Sequence, residues 1–106
     1  HEEARKNCDK AIELSPRYSD PLRLRCRINR KLKDYPAALK DCDAAVEYAP
    51  WWDDVYYERG LVHLGRKDLK KALAALEAAA RINPRDKAAA ETLANLRELI
   101  RTGGKP

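Results

Sequence analysis

The sequence predicts an all-α chain built from antiparallel helical hairpins, and three observations predict it. First, Pro16, Pro50 and Pro84 recur at a fixed period of 34 residues. Second, the same residue types return before each proline. Ala4, Ala38 and Ala72 stand twelve positions before it, and Ala11, Ala45 and Ala79 five before it. Cys8, Cys42 and Leu76 stand eight before it, and Leu14, Tyr48 and Ile82 two before it. Small, apolar, small, apolar, proline at one period marks a repeat architecture. Third, the composition is helical: rich in Leu, Ala, Arg, Lys and Glu, with only four glycines and no Phe or Met.

Bulk properties bound the rest. With 106 residues, 44% hydrophobic and 37% charged, the chain has room for one small domain with a thin, elongated core. No apolar run approaches the roughly 20 residues that cross a bilayer. The segment His1 to Asp9 is charged rather than apolar, unlike a secretory leader, so a cytoplasmic protein is expected. The three cysteines are odd in number, and their spacing matches no metal pattern. Cys8 and Cys42 fall on apolar helix faces, where free cysteine acts as a small hydrophobe, so buried, reduced thiols are expected.

Each element then has its own justification. In residues 1–18, Ala4, Cys8, Ala11, Ile12 and Ser15 form an amphipathic stripe. This reads as the second helix of a truncated repeat. Residues 19–52 form the next unit. Its first helix spans 19–32, with Ser19 as N-cap and Pro21 in the first turn. LRLRCRINRKLK alternates apolar and basic residues, which is the strand period, but a lone strand among helices would have no partner. As a helix it turns Leu22, Cys26, Ile28, Asn29 and Leu32 inward. Asp34 caps a helix over 36–48, whose inner face is Ala38, Cys42, Ala45 and Val46.

Residues 53–86 make a second full unit, with helices at 54–64 and 69–82. Asp53 and Asp68 are the expected N-caps. Gly60 is expected to let its partner helix approach closely, and Gly65 to end the helix in the left-handed conformation. Trp51 and Trp52 lie in the connection, one expected buried and the other partly exposed. Asp86 opens a last helix over 87–101 with an inner stripe of Ala90, Leu93, Leu96 and Ile100. Glu91, Asn95, Glu98 and Arg101 face out, and Gly103 and Gly104 end it. Residues 87–106 thus read as a C-terminal capping helix and tail, because the end of a stack needs a polar outer face.

This pattern resembles the tetratricopeptide repeat. Tyr56, Gly60, Ala72, Leu76, Ala79 and Pro84 stand at its signature positions, and Tyr35, Ala38, Ala45 and Pro50 match in the preceding unit. The first helix of that unit is degenerate, with Leu22, Arg25, Cys26 and Asn29 where Trp, Leu, Gly and Tyr belong. The resemblance implies a right-handed superhelix, an α-solenoid, whose groove binds partner proteins. It also implies that Arg25 and Arg59 look like the subfamily that clamps the C-terminal carboxylates of heat-shock chaperones. At the clamp positions, however, this chain has Leu24, Asp54 and Glu58. Reversed charges repel a carboxylate, so chaperone-tail binding is not expected.

Under this resemblance the first helices line the groove and present Arg23, Arg27 and Arg30, then Tyr57, Glu58, Leu61 and Leu64, then Glu91, Asn95 and Glu98. Three arginines on one face suit bidentate contact with carboxylate, so the expected partner is an acidic peptide or protein segment. A charged helix face that is merely solvated is the alternative. Nothing suggests catalysis, a cofactor or a metal. His63 is the only internal histidine, at a packing position, and no nucleophile–base pair or phosphate loop is visible. The net charge of +5 keeps open a basic module contacting nucleic-acid phosphates, although the basic residues are interleaved with acids. An engineered or truncated scaffold with no native ligand is a further alternative. The unpartnered first helix, poorly covered by Arg25 and Asn29, leads to an expected homodimer.

Overall fold

The computed structural model describes residues 1–103, and Gly104, the second of the expected terminators, lies outside them. Six helices follow one another: α1 (Glu2–Leu14), α2 (Ser19–Lys31), α3 (Tyr35–Tyr48), α4 (Asp53–Gly65), α5 (Leu69–Ile82) and α6 (Lys87–Arg101). No strand occurs among the described residues. The molecule is elongated, 45 × 26 × 19 Å. That shape suits a stack in which each hairpin touches its neighbours.

The period of the sequence reappears in backbone geometry. Ser15, Ala49 and Asn83 each precede a proline, which disfavours the α conformation. Their φ values are −142, −138 and −132°, and each amide donates to the alanine carbonyl four residues back. A tight turn follows in each case, with the proline at its second position. It is closed by Tyr18 N–H to Ser15 O, Trp52 N–H to Ala49 O and Asp86 N–H to Asn83 O, at 3.0, 3.1 and 3.2 Å.

The other connections also repeat. Lys33 N–H donates to Arg30 O and Asp34 N–H to Asn29 O; Lys67 N–H donates to Leu64 O and Asp68 N–H to His63 O. These are Schellman closures, with lysine in the left-handed position at φ 64° and 62°. Lys67, not Gly65, is therefore the left-handed residue after α4. Gly65 is small for another reason: a Cβ there would lie 2.6 Å from the Tyr35 ring. Gly60 behaves as expected, since its Cβ would sit 2.8 Å from Leu76 Cγ across the α4–α5 contact.

Asp34, Asp68 and Asp86 cap α3, α5 and α6 as expected. Ser19 and Asp53 do not cap. Both lie inside their helices, and the N-cap residues are Tyr18 and Trp52, without side-chain bonds. Ser19 is buried and its hydroxyl donates to Ala45 O, whereas Asp53 accepts from Asn83 Nδ2.

The core is a string of clusters between successive helices. Leu22, Ala45 and Val55 form one, Cys26, Ala38, Cys42 and Val62 the next, and Ala72, Leu76, Leu93 and Leu96 the last. In α6 the inner stripe runs through Ala89, not Ala90, and Ile100 is exposed. Leu32, the residue that ends α2, is likewise exposed.

Two corrections concern α2. Cys26 and Cys42 are not reduced thiols: they form a disulfide, with Cα atoms 5.6 Å apart, inside the usual range. One period further on, their places are taken by Gly60 and Leu76, which meet too closely for a Cβ at position 60. The disulfide staples the α2–α3 hairpin at the corresponding point. Cys8 alone remains free, and it is buried. Nor is the cover of α1 by α2 poor, because Arg25 and Asn29 build a polar network there. Arg25 donates to both Asp41 oxygens, at 2.9 and 2.6 Å, and to Asp9 at 2.9 Å. Asn29 Nδ2 donates to Asp41 at 3.1 Å, and Arg5 reaches Asn29 Oδ1 at 3.4 Å. The paired carboxylates, Asp41 first, push the Arg25 guanidinium further up from its ordinary range.

Candidate functional site

Alternation of helices puts α2, α4 and α6 on a common side. Arg27 and Arg30 of α2 reach Glu58 of α4. Leu64 of α4 lines a small cavity with Thr92, Asn95 and Leu96 of α6. The residues singled out from the sequence therefore fall on neighbouring helices, but their charges are not free in the way the sequence suggested.

Arg27 Nε donates to Glu58 Oε1 at 2.8 Å, and Arg30 Nε to Oε2 at 3.3 Å. Glu58 is 2% exposed, whereas the Arg27 side chain is 40% exposed. A buried carboxylate requires such partners. The three groups keep one net positive charge, presented mainly by Arg27. Glu58 is thus neutralised from below the arginines and does not confront a ligand as a bare reversed charge.

Arg23 differs from both. It pairs with Asp20 at 3.3 Å, and its guanidinium lies over the Trp52 ring, 4.9 Å from the centroid. Its side chain is 14% exposed, and its buried Nε has no partner. This arrangement holds the α2 start against the α3–α4 connection through cation–π attraction. Trp52 is half-buried and Trp51 is 71% exposed, their rings stacked with centroids 6.4 Å apart.

Tyr57 packs on the Leu76–Leu93–Leu96 cluster, Leu61 is half-buried, and Asn95 is exposed. Glu98, beside them on α6, pairs with Arg101. The face therefore offers apolar and aromatic surface from α4, one projecting arginine from α2 and one free amide from α6.

His63 is 5% exposed, and burial, helped by Arg59, holds its pKa below the ordinary histidine value. It packs as expected and has no hydrogen-bonded base or nucleophile. Asp53, Asp54 and Asp86 bring carboxylate oxygens within 4.8 Å of one another. Two of the three already act on the protein itself: Asp53 accepts from Asn83, and Asp86 caps α6.

Residues 53–86 match the family model of the tetratricopeptide repeat. That stretch, about a third of the chain, is similar in sequence to a tetratricopeptide repeat. Its fold is that of tetratricopeptide-repeat domains throughout. The first such domain of human RPAP3 superposes with a TM-score of 0.90 at 21% identity, over 95% of this chain and 80% of that one. The corresponding domain of Spaghetti (RPAP3), bound to the HSP90 peptide SRMEEVD, gives 0.89 at 21%, over 94% and 79%. The TPR2B domain of yeast Sti1, in a complex with pHsp70, gives 0.78 at 23%, over 87% and 75%. Comparison with the curated proteins finds no match. Among the described residues no helix is long and apolar enough to cross a membrane.

Proposed function

We propose that the α2–α4–α6 face binds a peptide segment of another protein and performs no chemistry. The segment lays an apolar side chain on Tyr57 and Leu61, and an acidic one on Arg27, with Arg23, Arg30, Glu58 and Asn95 positioning the site. The observation that carries this reading is the Arg27–Glu58–Arg30 arrangement. A rigidly held arginine, already oriented by a buried carboxylate, presents its remaining donors at low conformational cost. Peptide-bound structures of the same fold support the general mode. The client differs from a chaperone tail in this reading because Leu24 and Asp54 stand where the clamp supplies amide and ammonium donors.

In the same reading the chain divides into a half unit at 1–18, two units at 19–52 and 53–86, and a cap from residue 87. Self-association through α1 and the turn that follows it would use Leu14 and Tyr18, 84% and 57% exposed, since Cys8 is itself buried.

Titration with labelled peptides tests the reading. An internal acidic–apolar peptide, amidated at its C-terminus, should bind, and Arg27→Glu should abolish binding without loss of helical signal. Tighter binding of SRMEEVD with a free C-terminus than of its amidated form would overturn the assignment in favour of a chaperone-tail site. Binding of a single-stranded oligonucleotide with steep salt dependence, and of no peptide, would favour the nucleic-acid reading.

A further inference from the structure

The two hairpin units differ at one buried point. In the first, Asp41 lies between Arg25 and Asn29, accepting from both at 2.6–3.1 Å. One period of 34 residues later these three positions hold Ala75, Arg59 and His63. The cation is kept and the Asn29 amide gives way to an imidazole, but the carboxylate is gone. Even the outer partner is kept, for Asp9 pairs with Arg25 as Asp43 pairs with Arg59, at 3.3 Å in the second unit.

A cavity of about 390 Å³ lies between α3, α4 and α5, on the side of α4 away from Tyr57 and Leu61; its counterpart one period earlier, with Asp41 in its lining, is about 260 Å³. Arg59, His63, Arg66 and Lys71 line the larger one, with Tyr56 and the short side chains Ala74, Ala75 and Ala78. His63 Nδ1 is buried without a partner, as expected of a group whose acceptor has been removed. Arg66 and Lys71 have no carboxylate within ion-pair distance among the described residues. Asp43 is the one carboxylate in the lining against three cations, and Asp68 acts on His63 from nearby.

We infer that this cavity binds a small organic molecule through its oxyanion, a phosphate monoester or a carboxylate, which takes the place that Asp41 fills in the preceding unit. Arg59 and His63 hold the oxyanion as Arg25 and Asn29 hold Asp41, and Arg66 and Lys71 add attraction. The organic body lies on the alanines and Tyr56. The volume is in the range of small-molecule sites.

The test uses phenyl phosphate and benzoate as probes, followed by thermal shift and by the His63 imidazole proton resonance. At least one probe should raise the melting temperature and move the His63 resonance saturably, and the comparison of the two names the oxyanion preferred. Ala75→Asp restores the missing carboxylate. It should melt higher than the parent and lose the probe response by at least about tenfold in affinity. Arg66→Glu with Lys71→Glu, both at exposed positions, should lose the response while keeping the fold. The charge-matched control Lys6→Glu with Lys10→Glu on α1 should keep it. A response to neither probe overturns the inference. So does a response that survives Ala75→Asp, or one equally weakened by the control pair, which would mark attraction to net charge alone.

Discussion

Lys33 and Lys67 hold left-handed backbone that costs a residue with a Cβ about 1 kcal/mol or more, and each does so because the Schellman bonds around it leave no other conformation. Replacing either by Gly relieves that strain while adding unfolded-state freedom. The expected net gain is about 0.5 kcal/mol per site. Lys33→Gly and Lys67→Gly should each raise the denaturation midpoint, and additively, since they lie in different units. A lowered midpoint in both would contradict the account.

His63 makes a second prediction at this scale. Burial, then Arg59, lower its folded pKa, with Arg66 and Lys71 acting the same way and Asp68 opposing. The unfolded chain therefore binds the proton more readily. The resulting stability is fully present above the unfolded value of 6.5, and is lost as pH falls through the lower folded value. Melting temperature should fall as pH drops below 6.5, and His63→Gln should flatten that slope.

Among the elements, the α2–α3 hairpin is held by the Cys26–Cys42 bond, which encloses a loop of 16 residues in sequence separation. Closing a loop of about 15 residues stabilises by about 3 kcal/mol in the chain-entropy model. Chain refolded in reductant should therefore unfold at a clearly lower midpoint than oxidised chain, and equal midpoints would show that the bond does not form. Helix contacts set by small residues make the companion prediction. Ala38, Ala45 and Ala72 are fully buried, so Leu at any of them should destabilise by about 1–3 kcal/mol.

At this scale the sequence was most legible. Six helices and their order follow from proline period, capping aspartates and apolar spacing, and the ends agree to within a residue. Ser19 and Asp53 escaped because residue type alone does not separate an N-cap from the first helical position. The disulfide escaped because cysteine spacing was weighed without the repeat geometry. Yet the signal was present: Cys26 and Cys42 align with Gly60 and Leu76, a pair that must touch. The candidate face was legible in its residues but not in its charges. Glu58 was read as facing a ligand, whereas burial turns it toward Arg27 and Arg30, and Arg23 is occupied by Trp52 and Asp20.

For the whole molecule, the stack of hairpins separates two surfaces on α4. Tyr57, Glu58 and Leu61 face the side shared with α2 and α6, while Tyr56, Arg59 and His63 face the cavity between α3 and α5. Such separation lets one rigid scaffold carry a protein partner and a small ligand independently. The central claim is that the partner occupies the first of these sides. Amide chemical-shift mapping of the labelled chain, titrated with the amidated acidic peptide, tests it most directly. The account predicts the largest perturbations at Arg27, Arg30, Leu61 and Asn95, with α3 and α5 little changed. Perturbations concentrated on α3 and α5, with the Arg27 and Leu61 amides unmoved, would contradict it.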